Sequence, residues 1–200
     1  MFTNLTETEA PPLLTCPLFI HDPPEGLGSR FDLLDDLKVK LVEIREREAK
    51  LQSLLRRADD DPYAISDEFR QSRLALAKSE ADFHSGCEVL YRSYSHSCEA
   101  KFRAAEKTRD DIGAAIFGEL QTIGYAAGEV DARFFHKRYG SLTTMVESNP
   151  RWQSAEQDRQ AWHDQRLGWG ESAVQERTFA GRCDRARDKM VQAARESMGV

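Results

Sequence analysis

"DFHSGCEVLYRSYSHSCEAKF", Asp82–Phe102, is the stretch on which the fold class turns. Phe83, Cys87, Leu90, Tyr94, Cys98 and Phe102 recur at steps of three and four, which gathers them on one face of an α-helix but splits them between both faces of a strand. The stripe extends back to Phe69 and Leu76 and forward through Ala105, Ile112, Ile116, Leu120 and Ile123. No proline interrupts the chain from near Asp67 to about Tyr125, so the spacing predicts one helix of roughly 85 Å at about 1.5 Å per residue. The successive steps Tyr94 to Cys98 to Phe102 shift the frame as a stutter does, so a bend or a change of packing partner is expected near Cys98.

Upstream, Leu34, Leu37, Leu41, Ile44, Leu51 and Leu55 form a heptad seam with Glu48 as its one exception. Ser29 is the expected N-cap, and Asp32, Asp35 and Asp36 suit the positive end of the helix dipole. Pro62 disfavours helical geometry at Asp61, and Ser66 can cap the long helix that follows. Such a seam wants a partner helix, from the same chain or from another copy.

The chain downstream of Gly128 reads as shorter elements. "EVDARFFHKRY" is a short amphipathic stretch ended by Gly140, and "ESNPRW" marks a break. Ser154 is expected to cap a helix to about Leu167, "GWGES" to turn at Gly168 and Gly170, and a last helix to run from about Glu171 to Ser197. The fold predicted is all-α: an elongated helical hairpin or coiled coil with one very long central helix and shorter C-terminal helices. Its parts are a Pro-rich extended arm (1–29), the long-helix hairpin (30–128) and short helices packing on that hairpin (129–200).

Five of the seven prolines lie in the arm, which excludes regular helix there. Its middle, "PPLLTCPLFI", is nevertheless apolar, whereas low hydrophobicity is what keeps a tail disordered. Leu13, Leu14, Leu18, Phe19 and Ile20 are therefore expected to lie in a groove, on this chain or on a partner. Leu34, Leu37, Leu41 and Ile44 on the seam are further partner-contact candidates. So are Trp152, Trp162 and Trp169, since tryptophan is enriched at binding hot spots; the simpler role for them is to fold their segment back onto the long helix.

A net charge of -6 argues against a general nucleic-acid binder, which needs clustered Lys and Arg for counterion release, so no nucleic acid is expected as a partner, a local basic patch aside. With 31% charged and 40% hydrophobic residues, the chain has limited material for a compact core and suits helices with much exposed surface. Cys16, Cys87, Cys98 and Cys183 have neither the density of a disulfide framework nor the close pairing of a zinc motif, so a reducing compartment, cytoplasmic or similar, is expected. The N-terminus lacks the basic start of a signal peptide. Between Asp111 and Glu129 the apolar run is at the short limit for a span and holds Glu119, Gln121 and Thr122, so no transmembrane span is expected. Its glycines, Gly113, Gly118, Gly124 and Gly128, lack phosphate-loop spacing; they predict a close-packed helix junction, with Gly118 at its contact.

The strongest ligand-like cluster along one helix is His84, Cys87, Tyr91, Tyr94 and Cys98, but one straight helix offers only neighbouring pairs to a single ion. No Glu stands three residues before a His, as a carboxylate-bridged di-iron bundle requires, and no G-x-S-x-G elbow occurs. No catalytic residue, metal or cofactor is assigned. The function expected is a non-catalytic structural or adaptor subunit, contacting other protein subunits as a homo- or hetero-oligomer. Its alternatives are a membrane-surface-binding helical dimer and a metal or redox helical-bundle enzyme.

Overall fold

A computed structural model of the chain describes residues 16–23, 27, 31–58, 66–126 and 142–198. Among these residues the fold is all-α, with helices α1 (Phe31–Ala58), α2 (Ser66–Ala126), α3 (Leu142–Glu147) and α4 (Pro150–Met198). At 61 residues, α2 is one continuous helix more than twice as long as the 28 residues of α1. Its serines and threonines avoid competing with the helix by bonding back to it: Ser79, Ser97, Thr108 and Thr122 each donate to the carbonyl four residues earlier.

The chain divides into two compact units, one of residues up to Arg92 and from Gly170 onward, the other Ser93–Trp169. In the first unit α1 and α2 form an antiparallel hairpin, with Lys50 Nζ 3.1 Å from Glu68 Oε1 near one end and Leu37 packed on Gly86 further along. A Cβ at Gly86 would stand 2.6 Å from Leu37 Cδ2, so the residue is glycine where two helices need close approach. The first part of α4 belongs to the second unit, where it runs antiparallel to α2. Trp169 there packs its ring edge on Tyr94 at 5.1 Å, Arg166 bonds Glu99, and Trp152 lies against Gly113. The later part of α4 also packs on α2 in the first unit, through His84–Glu176 and Cys183–Glu80, so α4 accompanies α2 in both units while α1 packs on it in the first and α3 in the second.

Three expectations need correction. The helix after the break begins at Pro150, ahead of Ser154: Asn149 Oδ1 accepts the Arg151 N–H at 2.9 Å, a side-chain cap followed by proline at the first helical position. No turn forms at Gly168 and Gly170, since α4 is continuous for 49 residues. Tertiary contacts on either side, from Ser95 Oγ to the Arg166 carbonyl and from Tyr94 to Trp169, outweigh the modest helix penalty of glycine. Gly118 is exposed, with nothing within 4 Å of an added Cβ, and so does not mark the expected close contact; Gly113 and Gly86 do. The stretch predicted at "EVDARFFHKRY", the cap at Ser29, and Leu13 and Leu14 lie outside the described residues.

Candidate functional site

Chemistry concentrates in the first unit, where the segment after Cys16 lies against α2 and α4. Cys16 and Leu18 are buried, and the His21 N–H donates to the Tyr91 hydroxyl at 3.0 Å. The Cys16 thiol reaches the Phe179 carbonyl at 3.9 Å, in a buried cluster with Ala81, Phe179 and Cys183. The periodicity of α2 turns Glu80 and His84 inward at a step of four, and that of α4 does the same for Glu176 and Cys183 at a step of seven.

The result is a buried polar cluster drawn from three segments. A ring nitrogen of His84 and the sulfurs of Cys16 and Cys183 lie within 4.8 Å of one another. His84 Nδ1 is 2.6 Å from Glu176 Oε2. An ionised carboxylate only accepts, so Nδ1 donates the proton of this bond, and in the neutral imidazole Nε2 then presents a lone pair. That Nε2 has no hydrogen-bond partner among the described residues, although the side chain is 0% exposed. The Cys183 thiol donates to Glu80 Oε2 at 3.6 Å, which extends the cluster to a second buried carboxylate. Arg73 and Arg182 lie near enough to act electrostatically on Glu80 and Cys16 respectively.

Burial pushes the Cys16 thiol up, against the contrary influence of Cys183 and Arg182. Burial, reinforced by the negative Glu176, takes the Cys87 thiol up to about 12. Cys98 is likewise raised by burial. Cys87 and Cys98 are therefore inert packing residues at neutral pH.

Of the ligand-like set read along α2, only His84 belongs to the three-residue donor group; its companions come from the arm and from α4. Tyr91 meets the arm instead, and Tyr94 meets Trp169. Among the partner-contact candidates, Leu18, Leu34, Leu37 and Ile44 are buried against other described residues of this chain. Leu41 and Ile20 are half-buried, as are Trp152, Trp162 and Trp169, whereas Phe19 is exposed. Val39 and Val42, exposed on α1, escaped the sequence reading because they lie off the heptad seam. No helix among the described residues is long and apolar enough to cross a membrane. No protein-family model, curated protein or solved structure matches the chain.

Proposed function

We propose that the chain is a non-catalytic structural or adaptor protein that joins other protein chains through its outward helix faces and its N-terminal arm. The observation that carries this reading is a set of large apolar side chains left outside on elements whose other faces are packed. Val39 and Val42 are 59% and 58% exposed on the side of α1 opposite Leu37, and Phe19 is 44% exposed beside the buried Leu18. A valine pair three residues apart makes one helical patch, and paired with an exposed phenylalanine it supplies the apolar anchors an interface requires. The Cys–His–Glu cluster, by contrast, is buried among the described residues. A reducing, cytoplasmic setting fits four free thiols.

The test is purification of the tagged chain from its native source, as wild type and as the Val39→Glu/Val42→Glu variant, with mass measured by light scattering. The wild type should elute with a second copy or a stoichiometric partner. The variant should lose it while keeping its helical circular dichroism. Wild type running as a free 22.7 kDa monomer would overturn the reading.

A further inference from the structure

We propose that Cys16, His84 and Cys183 form a structural zinc site, with Glu80 completing the ligand set and Glu176 holding the histidine in its binding orientation. This inference stands independently of the interaction reading. Zinc takes thiolate at about 2.3 Å and imidazole at about 2.0 to 2.1 Å, so donors in a tetrahedral shell sit about 3.5 to 4 Å apart. Donor atoms that already lie within 4.8 Å of one another close onto such an ion with small side-chain adjustments. Two sulfurs and an imidazole nitrogen are the donor types that favour tetrahedral zinc over magnesium or calcium, which take oxygen.

The histidine supplies the observation that separates this cluster from ordinary core packing. Its Nδ1 is held by Glu176 at 2.6 Å, the partner arrangement that fixes the tautomer of metal-bound imidazoles. Its other nitrogen, a lone-pair donor in the neutral imidazole, is fully buried and without a hydrogen-bond partner among the described residues. An unsatisfied buried acceptor costs free energy, and an ion between Nε2 and the two sulfurs removes that cost. The charges agree as well. Two thiolates balance one dication, the Glu80 carboxylate, 3.6 Å from the Cys183 sulfur, turns in as the fourth ligand, and Arg73 and Arg182 lie close by to offset the remaining negative charge. On binding, each thiol gives its proton to solvent, so one Zn²⁺ displaces two protons as two S–Zn bonds form. The ligands come from the arm, α2 and α4, so the ion ties three segments together and anchors the arm beside the exposed Phe19.

The full-length chain, purified under reducing conditions, should carry one zinc per molecule by elemental analysis. After chelation, Co²⁺ should restore the visible ligand-field and thiolate charge-transfer bands of a tetrahedral site and saturate at one equivalent. Cys16→Ser, placed on the arm rather than in a helix, should abolish those bands with helicity retained. Glu176→Gln should weaken zinc binding about 10- to 100-fold. Cys87→Ser should leave both metal content and bands unchanged. Three results would each overturn the site: metal-free protein whose apo form gives no cobalt bands, Cys16→Ser protein that binds cobalt like wild type, or a Cys16–Cys183 disulfide found by peptide mapping without metal.

Discussion

At Gly86, an added Cβ would stand 2.6 Å from Leu37 Cδ2, and Leu37 is itself fully buried with little room to retreat. Gly86→Val is expected to cost about 1 to 3 kcal/mol through overpacking, read as a lower urea midpoint at unchanged m-value. Gly118 and Gly168 present the opposite case, because nothing stands within 4 Å of either Cβ position and both lie inside helices. Alanine there removes the backbone-entropy cost of helical glycine, so Gly118→Ala and Gly168→Ala should each stabilise the protein by about 0.5 to 1 kcal/mol. Destabilisation by Gly168→Ala would instead favour the turn that the sequence suggests. A glycine letter in a helical pattern is the same whether it marks a turn, a close contact or an open surface. Only the neighbouring helix distinguishes them, which is why the sequence placed the contact at Gly118 rather than at Gly86. The Cys16, His84 and Cys183 cluster was hidden for a similar reason: its members share no motif spacing and meet only once α4 and the arm are laid on α2.

At the scale of elements, α1 and α2 were legible because each is a long run of one period with proline outside it, and their observed limits, Phe31–Ala58 and Ser66–Ala126, follow that pattern closely. The continuity of α4 was not legible, since local glycine propensity argues for a turn that its contacts with α2 override. One of those contacts is polar and within reach of a titration. Glu156 on α4 accepts a two-pronged grip from Arg159, at 2.8 Å from Nε and 2.6 Å from Nη2, and a further bond at 3.1 Å from Arg109 on α2. Arg159 first, and Arg109 with it, hold the Glu156 carboxyl down at about 2 against the opposing effect of burial. A carboxylate with a depressed folded-state pKa contributes stability above its unfolded value of about 4.3 and loses it as pH falls through the folded value. Glu156→Gln should therefore destabilise the protein at pH 7 by about 1 kcal/mol, given that the group is partly solvent-screened. The gap between variant and wild type should shrink as pH falls from about 5 toward 2. Urea midpoints collected across that range check the point, and parallel profiles for the two proteins would mean that the cluster contributes nothing measurable.

For the molecule as a whole, folding and partner contact can be separated on neighbouring residues of the arm. Leu18 is buried and Phe19 is 44% exposed, with the Phe19 ring edge-on to His21 at 4.6 Å. The sequence showed that this patch needed cover, but not which side chain would use the chain's own groove and which would face outward. Burial alternates along this segment, with Cys16 and Leu18 inside and Pro17 and Phe19 outside. Leu18→Ala should then act on the fold, removing buried methyl groups at a cost of about 2 to 4 kcal/mol. Phe19→Ala leaves those contacts intact and should change stability by no more than about 0.5 kcal/mol. If the arm serves as a docking element, the second substitution should nevertheless weaken retention of the native partner, while the first should affect retention only as far as it lowers the folded fraction. Thermal melts alongside co-elution of both variants distinguish these effects. A Phe19→Ala protein that melts and co-elutes like wild type would confine the interface to the helices, leaving Val39 and Val42 as its anchors.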